Sequence, residues 1–263
     1  MLLFSQRCPW FGAILKSVGP SAKRRLRSRR NRSSASWAAD QQQLSASAES
    51  LEDRTLLAAP HPIDLGALDG TNGFRLDGID ADDASGRSVS NAGDVNGDGF
   101  DDLIISAHRA DPDGNSEAGE SYVVFGKSGA FAPTLDLSTL DGTIGFRIDG
   151  INADDQSGWS VSDAGDVNGD GFGDVVIAAR EAGNAGETYV VFGKSTSFAS
   201  AVDLSTLDGT TGFLLEGIDA NDFSGNSVSN AGDVNGDGFD DLIIGAILAD
   251  PNGNNVAGES YVV

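Results

Sequence analysis

Cysteine is nearly absent, and Cys8 alone cannot form a disulfide within the chain. Rigidity must come from another source, and bound metal is a natural one for an exported protein. No run of 18 or more apolar residues occurs, which excludes a membrane-spanning helix. Positive charge is scarce beyond residue 60: seven Lys/Arg stand against 36 Asp/Glu, a net of −29. Such a body repels nucleic acid. Histidine is limited to His61, in a linker, and His108, which has no counterpart elsewhere in the chain and is expected to be an exposed loop residue. There is no Gly-x-Ser-x-Gly elbow, no phosphate loop and no zinc-ligand spacing. The chain is therefore not expected to be an enzyme.

What is present divides in two. Residues 1–60 hold ten Lys/Arg against four Asp/Glu, a net of +6, with seven basic residues between Lys23 and Arg32. A Ser/Ala/Gln-rich stretch follows, and the segment is expected to be a disordered basic leader. The acidic remainder is internally repetitive. Asp94–Phe100 reads DVNGDGF and returns at Asp166–Phe172 and Asp233–Phe239, offsets of 72 and 67 residues. Glu120–Lys127 reads ESYVVFGK, returns as ETYVVFGK at Glu187–Lys194, and appears again as ESYVV up to Val263. The units are 63–134, 135–201 and 202–263, the third read as truncated within a longer product. Their length difference falls in a polar, Gly-rich stretch before the YVV segment, which marks a surface loop.

High acidity with few aromatics can mean disorder, but here the acids recur at fixed spacing beside short apolar runs. Each unit reads as four short strands. In the first unit they are GFRLDGI (73–79), SGRSVSNAGDV (85–95), DLIISA (102–107) and SYVVFG (121–126). The third is apolar at consecutive positions, as expected of a strand covered on both faces. Gly, Asn and Asp separate the strands and no segment has helical periodicity. Four strands per unit of this length predicts propeller blades; a β-solenoid is the competing architecture, usually with shorter repeats.

The series SGxSVSxAGDVNGDGxxD, DLIIxA and YVVFGK resembles the FG-GAP repeat of integrin alpha-chain propellers, over about residues 63–263. The "GAP" element stands as Ser106-Ala107-His108, Ala178-Ala179-Arg180 and Gly245-Ala246-Ile247. The resemblance implies an all-β chain of three four-stranded blades, an incomplete β-propeller. Related propellers close with about seven blades, so further blades in a longer product, or self-association, are implied partners.

The DxNxDGxxD spacing supplies the oxygen ligands that calcium prefers. In the first unit these are Asp94, Asn96, Asp98, the Phe100 carbonyl and Asp102. The second offers Asp166, Asn168, Asp170, the Phe172 carbonyl and Asp174; the third Asp233, Asn235, Asp237, the Phe239 carbonyl and Asp241. One calcium per unit, three in all, is expected, with affinity of about 10⁻⁴–10⁻³ M and a structural role. Position 8 is Asp101, Gly173 and Asp240, a variation that excludes it from the ligand set. An EF-hand needs Glu at position 12, where Ile105, Ile177 and Ile244 stand. Dockerin modules share DVNGDG but continue into a helix. A second acidic loop, DGIDADDASG (77–86), repeats with Asp83, Asp155 and Asp222 in register. Turn capping is the expected role there, and a second cation or a ligand the alternative.

LEDRTLLAA (Leu51–Ala59) resembles the LEPRxLL motif of certain bacterial surface proteins, with Asp53 where that motif has Pro. The resemblance implies an export leader and a secreted or cell-surface location. Together these readings predict a calcium-binding extracellular adhesion or recognition module with a protein or glycan ligand. The alternative is an accessory propeller domain of a larger secreted hydrolase.

Overall fold

The structure, a computed structural model, describes residues 64–263. The basic leader, the LEDRTLLAA motif and His61 lie outside the described residues. The described chain is all-β. In order, its strands are β1 (Arg75–Asp77), β2 (Val89–Gly93), β3 (Asp102–Ala107), β4 (Glu120–Val124), β5 (Thr134–Asp136), β6 (Gly145–Asp149) and β7 (Ser160–Gly165). They continue with β8 (Asp174–Ala179), β9 (Glu187–Val191), β10 (Ala201–Asp203), β11 (Gly212–Glu216), β12 (Ser224–Gly232), β13 (Asp241–Ala246) and β14 (Glu259–Val262). Single 3₁₀ turns occupy several connections, and no described helix is long and apolar enough to cross a membrane.

The sheets are propeller blades. One runs β2-β3-β4-β6, with short β10 added in parallel at its edge; the next runs β7-β8-β9-β11; the third pairs β12-β13-β14. Neighbours within each blade are antiparallel, and β1 pairs only with β5, in parallel. The grouping differs from four consecutive strands per unit. The GFRID strand β6 closes the blade of the preceding unit, with Phe146 opposite Val123, and β11 does the same on β9. The reason is geometric: the last strand of each unit leaves an edge that the next GF segment pairs with, fastening consecutive units together.

Consecutive apolar residues follow from stacking of the blades. In β8, Val175, Ile177 and Ala179 pack with Ile104, Val123, Phe146 and Ile148 of the blade before. The alternate residues Val176 and Ala178 pack with Val228, Leu242 and Ile244 of the blade after. All six residues of β8 are buried, as its unbroken apolar sequence predicts. A third cluster, around Ile105, Tyr122, Val124 and Leu137, covers the other face of the first blade. Each fully buried aliphatic side chain of this kind contributes roughly 1.5–3 kcal/mol.

His108 is a correction. It was expected to be exposed; it is buried, with its ring edge-on to Trp159 at 5.3 Å. A large aromatic residue in the next unit covers it.

Candidate metal centre

Every DxNxDGxxD loop connects the first two strands of a blade. Each is entered through the same irregularity: the ladder shifts at Asn91/Gly93, Asp163/Gly165 and Asn230/Gly232. The glycines at this bulge have φ of 70°, 76° and 66°, a left-handed conformation that glycine adopts without strain. The preceding Asn91, Asp163 and Asn230 side chains accept from the bulge N–H at 3.3, 2.8 and 2.6 Å. The bulge turns the chain out of the sheet and into the loop.

Within the first loop, Asp94 accepts from Asp98 N through Oδ1 (3.0 Å) and from Gly99 N through Oδ2 (2.9 Å). Asn96 Oδ1 accepts from Asp98 N at 2.9 Å, and Asp98 Oδ1 from Phe100 N at 3.0 Å. The second loop repeats the set: Asp166 accepts from Asp170 N and Gly171 N, Asn168 from Asp170 N, and Asp170 from Phe172 N. In the third, Asp233 accepts from Asp237 N and Gly238 N, Asn235 from Asp237 N, and Asp237 from Phe239 N. The predicted ligand spacing is thus also a spacing of side-chain-to-backbone turns, each oxygen being held by an amide two to five residues away.

The position-9 aspartates play a different part. Asp102, Asp174 and Asp241 are buried at the first residue of β3, β8 and β13. Asp102 accepts from Val95 N (2.9 Å) and Gly126 N (2.7 Å), tying the loop to the FG corner of its own blade. Asp174 does the same with Val167 N (3.0 Å) and Gly193 N (2.9 Å). Asp241 accepts from Val234 N (2.7 Å) and from the Asn235 side chain (3.2 Å). Burial pushes Asp102 up to about 6 and Asp174 up to about 7; their amide donors oppose the rise, and the aspartates at positions 1 and 5 add to it.

The donor chemistry fits calcium: carboxylate, amide and carbonyl oxygens, with no nitrogen or sulfur ligand. Among the described residues, the Phe100, Phe172 and Phe239 carbonyls accept no hydrogen bond, and each carboxylate oxygen bonded to one amide keeps a second lone pair. The arrangement has not closed on a point, for no three described Asp, Glu, His or Cys side chains gather as a metal-holding group. The loops order the predicted ligands without converging them.

Sequence reasoning missed how the loops meet. Position 8 joins neighbouring units: Asp240 Oδ2 accepts from Asp166 N at 2.8 Å, and Gly173 N donates to Asp94 O at 2.9 Å. Position 7 does so by packing. The Phe172 ring lies where a Cβ on Gly97 would stand 2.3 Å from it, and Phe239 covers Gly169 at 2.6 Å. Asp155 caps its own turn through Asn152, whose backbone N and side chain donate to it at 3.3 and 3.1 Å. The variation at position 8 was the available signal for a role outside the ligand set.

The FG-GAP repeat family model matches residues 85–124, 157–191 and 224–263. The chain is 30% identical over 170 residues to phosphatidylinositol-glycan-specific phospholipase D of Dictyostelium discoideum, covering 58% of this chain and 17% of that protein. It is 29% identical over 160 residues to integrin alpha-4 of Xenopus laevis (60% and 14%). With integrin alpha-PS2 of Drosophila melanogaster it shares 30% over 183 residues (68% and 12%). The chain thus spans less than a fifth of the length of these relatives. The matched segments span the first three strands of each blade, β2–β4, β7–β9 and β12–β14, so the chain carries three FG-GAP repeats and is similar over them to integrin alpha chains.

Proposed function

We propose that this chain is a calcium-binding extracellular recognition module, its blades stiffened by one calcium ion in each of three loops. The observation that carries the reading is the threefold recurrence of one hydrogen-bonded loop, with its free Phe carbonyl, at the same bulge. Asp94, Asn96, Asp98, the Phe100 carbonyl and Asp102 would hold the ion in the first loop, and their counterparts in the others. Bound calcium supplies positive charge that relieves repulsion among three carboxylates. The loop residues do the rest: the aspartates at positions 1 and 5 fix the turn, and those at position 9 link it to the strands.

Similarity to integrin alpha chains supports a secreted or cell-surface location and an adhesive role with a protein or glycan ligand. The role is binding and not catalysis, in keeping with carboxylates engaged by backbone amides. A second reading, an accessory propeller of a larger secreted hydrolase, is favoured by the similarity to a phospholipase D.

The test is calcium titration of the wild type and of a triple variant, Asp98→Asn with Asp170→Asn and Asp237→Asn. Asn keeps the oxygen that accepts from the Phe N–H but removes the charge. The wild type should bind about three ions with Kd of about 10⁻⁴–10⁻³ M. The variant should bind none while melting normally without calcium; equal binding by both would refute the assignment.

A further inference from the structure

The three units act as internal controls for one another. Around the turn that leads into the first strand of each blade, most positions are identical: Asp83/Asp155/Asp222, Ser85/Ser157/Ser224, Gly86/Gly158/Gly225 and Ser88/Ser160/Ser227. Among the positions that differ, three carry a different residue in every unit and meet in space. They are Ala84/Gln156/Phe223, Arg87/Trp159/Asn226 and His108/Arg180/Ile247. The backbone does not diverge with them: Ala84, Gln156 and Phe223 share φ of 57°, 55° and 54°. A left-handed backbone is uncommon for glutamine and an outlier for phenylalanine, and strain of this kind concentrates at functional sites. The scaffold is held constant while the side chains it presents change.

The divergent side chains meet at one place, at the end of the blades opposite the DxNxDGxxD loops. Trp159 is the centre. The Arg180 guanidinium lies 3.1 Å and the Arg87 guanidinium 4.1 Å from its ring centroid, and His108 meets it edge-on. Arg180 also reaches Phe223, at 5.3 Å from the ring, and Asn226 Oδ1, at 3.5 Å. All three units contribute. Cation–π contact orients both guanidiniums but uses none of their N–H donors.

The electrostatics are unusual for this protein. Two of the seven basic residues beyond residue 60 stack on one ring, and Arg109 adds its charge nearby. Arg180 has a partial counter-ion in Glu181 at 3.2 Å, and Glu117 is bonded to Gln156 at 3.0 Å. Arg87 is exposed and makes no ion pair among the described residues. His108 Nδ1, Arg180 Nε and Gln156 Oε1 are buried without a hydrogen-bond partner. Burial, then Arg109 and Arg87, lower the His108 pKa, so the ring is neutral near pH 7 and can donate or accept. Arg180 Nε, and His108 Nδ1 when it carries the ring proton, are buried N–H donors beside two cations, a preorganised place for an anion; Gln156 Oε1 is an acceptor and takes no part in it.

We propose that Arg87, His108, Trp159 and Arg180 form a binding site for a single carboxylate group. The planar forks of the two arginines match a carboxylate in shape as well as charge. A polyanion is disfavoured, since the surrounding body carries a net charge of −29. The inference rests on the cluster and holds whether or not the distant loops bind calcium.

The experiment uses the full chain at constant ionic strength and follows tryptophan fluorescence. The probes are an uncharged-ended Gly peptide bearing one Glu, its Gln counterpart, and free glutarate. A saturable response to the Glu peptide and none to the Gln peptide is expected, and Trp159→Phe should abolish it. Arg87→Gln, at an exposed position, should weaken binding about tenfold or more, as should Arg180→Lys, which keeps the charge but loses the fork. Glutarate binding as tightly as the Glu peptide would assign the carboxylate to free organic acids, and tighter binding of the peptide would assign it to a protein chain. No saturable response in the wild type, or an Arg87→Gln variant that binds like the wild type, would overturn the site itself.

Discussion

Single residues here do two kinds of work: the loop aspartates hold turns, and a few buried charges hold strands. Arg147 on β6 shows the second. It donates through Nη2 to Asp149 at 2.9 Å and lies 3.4 Å from Glu120 on β4, whose other oxygen accepts from the Tyr122 hydroxyl. Burial raises the pKa of Glu120 and of Asp149, and Arg147 opposes the rise in both. A carboxyl with a raised pKa in the fold stabilises it below the unfolded pKa, and that contribution is lost as pH rises through the folded value. At neutral pH both carboxylates therefore depend on Arg147. The equivalent residue in the next unit is Leu214, so Arg147→Leu keeps the strand chemistry and removes the charge. It should destabilise by about 1–3 kcal/mol near neutral pH, allowing for the partial exposure of Arg147, and by less near pH 4. Melting both proteins across that range checks it; a pH-independent gap would contradict the pairing. At this scale the repeated loop was legible, because it recurs in one continuous segment. The burial of His108 was not, because it depends on Trp159, 51 residues later.

Elements are joined by contacts that repeat from one blade to the next. Ser88 Oγ accepts from Val161 N and Ser160 Oγ from Val228 N, each at 3.1 Å, linking the first strands of adjacent blades. Ser160→Ala would leave a half-buried Val228 N–H unpaired. A loss of about 1–2 kcal/mol is expected, read as a lower melting temperature. The exposed Ser205→Ala should stay within about 0.5 kcal/mol of the wild type, and equal effects of the two would dismiss the bridge. The strands themselves were legible from apolar, β-branched runs between Gly and Asp clusters. Their assignment to sheets was not: a sequence repeat has no natural starting point, and pairing places β6 and β11 with the unit before them. The double coverage of β8 was readable from DVVIAA, whereas β3 and β13 look the same in sequence yet leave Leu103 and Ile243 exposed.

The described repeats together are an acidic stack of blades whose loops meet at one end and whose divergent residues meet at the other. Its weak point is charge. Each loop concentrates carboxylates, and the buried Asp102 and Asp174 are pushed up toward neutrality when no cation is present. Hydrogen bonds position these groups but do not neutralise them. Calcium as a folding ligand would stabilise by about 2 kcal/mol per site at about fifty times Kd. Three sites in a domain of this size would raise the melting temperature by at least about 10 °C. The most direct test is the thermal melt of the full chain with calcium at about fifty times Kd, about 5–50 mM for that affinity, and with excess chelator. The account predicts a rise of that size with calcium, lost in the triple Asp→Asn variant. A cooperative transition at the same temperature in both conditions would contradict it, leaving the blades standing without the metal.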